Sequence, residues 1–170
     1  MNQLEAWGFS FQWWRGARGE YWAISQMLLL MTFVLIPIYP AFPRTNQPSI
    51  LTGLTWGIAG LLGLMSLWFL LGGLKALGSN ITPLPHPKDD GSFVNQGVYG
   101  IVRHPLYSSI IMGTSAYSCW QWSFSHGLAV VGLVLFFDIK ARKEEAWLRD
   151  KFPDYDAYQG QVKKLISFIY

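Results

Sequence analysis

Four apolar runs almost free of charge decide what this chain can become. Trp22–Phe42 and Ile50–Leu71 are each about 20 residues long, enough for a helix to cross the ~30 Å hydrocarbon layer of a bilayer. Leu106–Trp122 and Gly127–Ile139 are shorter. Little but "SFSH" separates them, so they read as a tight helical hairpin whose second arm runs on into a charged tail. Only 14% of the chain is charged and nine residues are Trp, a balance foreign to a soluble domain of 170 residues. It fits an all-α integral membrane protein of about four transmembrane helices with aromatic residues at the lipid–water boundary. One domain, 1–170, is expected.

Within the runs, Pro37 and Pro40 should end or kink the first span. Gly53, Gly57, Gly60 and Gly63 give the second span a small-residue face, which reads as a helix-packing surface. The aromatic stretch "AWGFSFQWWRGARGEYW" (6–22) has acidic neighbours and no continuous apolar core, so it reads as an interfacial segment rather than a signal peptide. All Lys and Arg except Arg44 fall in the N-terminal segment, the 72–104 connection or the tail. With four spans these share one side, and positive charge places that side, with both termini, in the cytoplasm. The single Cys119 and the scattered His86, His104 and His126 make no metal pattern. No basic stripe points to nucleic acid.

The informative polar stretch is 77–107, "LGSNITPLPHPKDDGSFVNQGVYGIVRHPLY". Its alternate prolines favour extended backbone and its glycines a compact loop, and structureless connections of this length are commonly functional. Pro105 suits the first position of the third helix. Arg103 and His104 then stand beside free N–H groups and the positive helix end, a constellation suited to a carboxylate or phosphate. The competing reading is that Arg103 snorkels to lipid phosphates. In the tail, Lys140 with Glu144 and Glu145 with Arg149 are spaced i,i+4, as in ordinary solvated helices. The closing "VKKLISFIY" reads as a segment returning to the membrane surface.

Taken in order, "LGSNITPLP", Phe93 to Tyr99, "VRHPLYSS" and "KARKEEAWL…FPDYDAY" resemble the isoprenylcysteine carboxyl methyltransferase and phospholipid methyltransferase superfamily over about residues 72–170. The resemblance implies a cytoplasmic cofactor loop, a helical hairpin and an amphipathic tail that together enclose S-adenosylmethionine, with S-adenosylhomocysteine as product. It places Ser92, Phe93, Val94, Tyr99, His104, Pro105, Leu106, Tyr107 and the pair Glu144 and Glu145 at the cofactor. Lys140 stands where some members carry an arginine for the acceptor. Lys140 and Arg103 are the candidate catalytic residues: Lys140 would orient the acceptor, and Arg103 with His104 would hold the cofactor's carboxylate. Ser109 replaces a glycine of the family pattern and Ser167 a proline, so cofactor packing should differ locally.

The implied acceptor is lipophilic and enters from the bilayer. A carboxylate of an isoprenylcysteine-like compound is favoured, because it needs no general base. A phospholipid amine or a small thiol is the nearest alternative, then an NADPH-dependent sterol-type reductase, then a non-enzymatic scaffold. The expected location is a prokaryotic inner or internal membrane, with membrane lipids as the only other partners.

Overall fold

A computed structural model describes residues 16, 18–40, 49–82, 84–166 and 170. Among them the architecture is all helical: α1 (Glu20–Leu35), α2 (Ser49–Leu77), α3 (Pro105–Gln121), α4 (Phe124–Lys151) and the short α5 (Tyr155–Gln161). Two helical segments, Ile50–Asn80 and Phe124–Lys151, are long and apolar enough to cross a membrane. At 16 and 17 residues, α1 and α3 each extend about 25 Å. The first run stops early because Ile36, next to Pro37, is extended (φ −60°, ψ 132°). A residue before proline is driven out of the helical region. Most of the aromatic 6–22 stretch, Arg44 and Ser167 lie outside the described residues.

Packing concentrates on the α2–α3 seam and the α3–α4 hairpin. Trp122 turns the chain in the left-handed region (φ 51°), and Ser123 caps α4 by accepting from the His126 N–H. One buried cluster gathers Phe33, Ile111, Leu133, Phe137 and Leu165; a second gathers Phe69, Val98 and Val102. The glycines that permit close approach are not those expected. A Cβ at Gly53, Gly57, Gly60 or Gly63 would meet nothing within 4 Å, so among the described residues that face packs on no other element. Along α2, close approach comes about one to three turns after Gly63. A Cβ at Gly73 would lie 2.8 Å from Leu106, and one at Gly113 2.9 Å from the Ser66 hydroxyl. That hydroxyl donates to the Ser109 carbonyl at 2.7 Å, pinning α2 to α3.

The 81–96 connection is a compact cap. The Asn80 side chain joins its two ends, accepting from the Ser92 N–H (3.0 Å) and donating to the Ser92 hydroxyl (3.1 Å). Lys151 Nζ donates to the carbonyls of Lys88 and Asp89, tying the cap to the end of α4. The C-terminal segment also docks on the protein. Arg103 N–H donates to the Lys163 carbonyl at 2.8 Å and His104 N–H to that of Lys164 at 3.1 Å. Leu165 is buried in the core, so this residue does not face a membrane surface as the sequence suggested.

Candidate active site

The start of α3, the charged turns of α4 and the cap meet around one cavity of about 360 Å³. Of the sequence-derived residues, Ser92, Phe93, Val94, Tyr99, Arg103, His104, Leu106, Tyr107, Lys140 and Glu144 line it; Pro105 and Glu145 do not. Pro105 sits behind the wall, with its ring toward Gly73.

Tyr107, one turn into α3, is the hub. Its hydroxyl donates to Glu144 Oε2 at 2.6 Å. Its ring stacks on His104 (centroids 5.3 Å, planes 4° apart) and on Phe137 (4.8 Å). Lys140 Nζ lies 4.9 Å from the centre of the same ring and donates to Gln26 Oε1. Glu144 is also 3.6 Å from His104 Nδ1. The segment 103–107 and Glu144 therefore share one enclosure.

Behind this wall lies a second network. Glu145 accepts from Arg103 Nε at 2.7 Å and from Gln159 Nε2 at 3.2 Å, and its Oε1 is 3.2 Å from His104 Nε2. Arg103 Nη1 donates to the carbonyls of Gln159 and Val162. The backbone N–H groups of Arg103 and His104, which precede α3, donate to carbonyls of the C-terminal segment. Two expectations are corrected here. Glu145 points away from the cavity and acts as counterion to Arg103. The i,i+4 pairs Lys140–Glu144 and Glu145–Arg149 do not form; the i,i+4 ion pair among the described residues is Asp138 with Arg142, at 2.8 Å.

Ser109 fits without disturbance. It is buried and donates to the Leu106 carbonyl at 2.7 Å within its own helix. Phe93 sits in an aromatic cluster with Phe152, Tyr155 and Tyr158, and the Tyr158 hydroxyl donates to the Tyr99 carbonyl at 2.6 Å. Burial holds the phenols of Tyr99, Tyr155 and Tyr158 well above their usual range, so these groups stay protonated.

Sequence reasoning missed Gln26, Asn80, Phe152, Tyr155 and Tyr158, all of which line the cavity. Gln26 had a signal: it is the sole amide in the apolar run after Trp22, and polar groups placed there have a function by default. Phe152, Tyr155 and Tyr158 stand in the "FPDYDAY" element that carried the resemblance, but nothing in their spacing tells a cavity wall from a core.

The fold and site define a small helical membrane protein whose polar cavity lies at the mouth of its helices. The chain matches the phospholipid methyltransferase family over residues 54–155 and belongs to that family, part of the isoprenylcysteine carboxyl methyltransferase-like membrane methyltransferase superfamily. It is thus a membrane methyltransferase. No curated protein matches the chain.

Proposed function

We propose that this chain transfers the methyl group of S-adenosylmethionine to a lipophilic acceptor. The observation that carries the reading is the convergence of His104, Tyr107, Lys140 and Glu144 on one cavity with an apolar flank. The donor set suits this cofactor. Glu144 offers a carboxylate to an ammonium group, Asn80 and Ser92 offer polar atoms at the cap, and Phe93 and Tyr99 offer aromatic surface. A volume of about 360 Å³ lies within the ~300–1,000 Å³ range of ligand pockets.

When bound, the cofactor supplies an electrophilic methyl group on a sulfonium. The protein's part is placement and exclusion of water. Tyr107 fixes the Glu144 carboxylate by its hydrogen bond, and His104 fixes the Tyr107 ring by stacking. Arg103, at the cavity wall, acts as a positioning residue: its bond to Glu145 holds His104 in register. Glu145 belongs to this support.

Leu70, Leu74, Leu106 and Ile110 line the apolar flank, and Gln26 of α1 stands in the same cavity. α1 and α2 make no substantial contact with each other. The opening between them gives a lipophilic acceptor a route from the bilayer. Lys140, cationic and held by Gln26, is placed to orient an anionic acceptor, so a carboxylate of an isoprenylcysteine-like compound is our favoured substrate. A phospholipid amine is the second reading, favoured by the carboxylate of Glu144, which can take a proton. The excess of Lys and Arg near the cavity orients this face, with both termini, toward the cytoplasm of a prokaryotic membrane.

Two measurements test the reading. S-adenosylhomocysteine should raise the unfolding temperature of the purified protein and NADPH should not; the reverse would point to a reductase. With methyl-labelled cofactor, a carboxylate acceptor yields a base-labile ester that releases methanol, whereas an amine acceptor yields a base-stable product.

A further inference from the structure

Beside the Arg103–Glu145 pair, on the other side from the methyl-transfer cavity, lies an open cleft of about 620 Å³. Arg142, Arg149, Lys163, Lys164 and Tyr170 line it, and among the described residues Glu145, already bound to Arg103, is its only acidic side chain. Asp138 is shared between Arg142 and Lys164, each at 2.8 Å. Arg149 and Lys163 have no ion-pair partner among the described residues. The cleft therefore carries surplus positive charge that the protein does not neutralise.

Its position adds the second half of the case. Leu128, Val131, Leu135 and Ile139 of α4 are all more than half exposed, and their spacing sets them along one stripe of the helix. The next step of that stripe is Arg142, at the edge of the cleft. An apolar track facing lipid thus leads directly to a basic recess at the helix's polar end. A soluble anion would use only the recess; a lipid with a negative headgroup uses both.

We propose that this cleft binds the phosphate headgroup of an anionic phospholipid whose acyl chain lies along the Leu128–Ile139 stripe. Arg149 and Lys163 supply the uncommitted charge, and Arg142, held by Asp138 and the Tyr170 hydroxyl, forms the rim. The proposal rests on the membrane placement of α4 and is independent of the methyl donor.

The test is native mass spectrometry of the full chain in neutral detergent, with phosphatidylglycerol and phosphatidylcholine of the same acyl chains. Phosphatidylglycerol should be retained at least about tenfold more strongly, since two basic residues near an anionic lipid surface contribute about 1 kcal/mol each and tenfold needs about 1.4 kcal/mol. The double variant R149Q/K163Q should retain the two lipids equally while keeping its affinity for S-adenosylhomocysteine, and R149K/K163R should keep the preference. Equal retention by the unaltered protein overturns the proposal, as does a preference that survives R149Q/K163Q. Full displacement of phosphatidylglycerol by inorganic phosphate would make the recess a soluble-anion site and overturn the lipid occupant. If R149Q/K163Q does not fold, the comparison of lipids on the unaltered protein and the phosphate arm still decide. Failure of the unaltered protein to bind S-adenosylhomocysteine would count against the methyl-transfer reading and leave the lipid result standing.

Discussion

Glu144 and Glu145 are neighbours in sequence and face two different regions. Glu144 looks into the cavity, where it meets one tyrosine hydroxyl and keeps capacity for a ligand. Glu145 looks the other way, and its two oxygens meet Arg103, His104 and Gln159. On one side of α4 a carboxylate is left available; on the other it is fully engaged. The difference teaches that an acidic pair on a helix can divide its work, one residue facing the cavity and the other locked into the network behind it.

The sharpest way to break this comparison is Glu145→Ala. It leaves Arg103 as an uncompensated buried charge, so stability should fall by about 3–5 kcal/mol, read as a lower unfolding temperature in detergent. Glu144→Ala should spare the unfolding temperature and weaken S-adenosylhomocysteine binding about 100-fold, a loss near 2.7 kcal/mol. If the two variants exchange phenotypes, the division is wrong. Lys140→Ala sharpens the cavity side further. Cofactor affinity should hold while kcat/KM for the acceptor drops by about tenfold, a ~1.4 kcal/mol effect. A matching fall in cofactor affinity would move Lys140 to the cofactor's half of the cavity. The smallest effects contrast two parts of α2. Gly73→Ala should cost about 1 kcal/mol by crowding Leu106. Gly57→Ala, in open space, should be neutral or stabilise by up to about 1 kcal/mol.

That last contrast marks where sequence reading stops. The apolar runs gave away the helices and the hairpin, because a chain with so few charges has few other ways to bury its backbone. Run length could not say where the helices end: Pro37 cut α1 short, whereas α2 ran past Leu71 to Leu77. Small-residue spacing showed that a close approach was possible but not where. Gly53 and Gly57 look as suited to packing as Gly73 and Gly113, and only the neighbour across the gap separates them.

The site was legible in the same uneven way. The "RHPLY" element and the acidic pair carried the resemblance, and the structure brings them together. Their individual roles depend on which way each side chain turns and on what docks against them. The carbonyls of Lys163 and Lys164 close the backbone donors at Arg103 and His104 from about 60 residues away, and no local pattern announces that.

The sparse contact between α1 and α2 has a consequence for how such a protein can diverge. Leu70, Leu74 and Ile110 line the cavity and belong to neither the Glu144 nor the Glu145 network. In the proposed reading they flank the acceptor's way in. Replacing one apolar side chain there with another reshapes the doorway without loosening the machinery behind it. If the proposed route holds, a lineage could exchange one greasy substrate for another through a few neutral steps, leaving the Glu144 side untouched throughout.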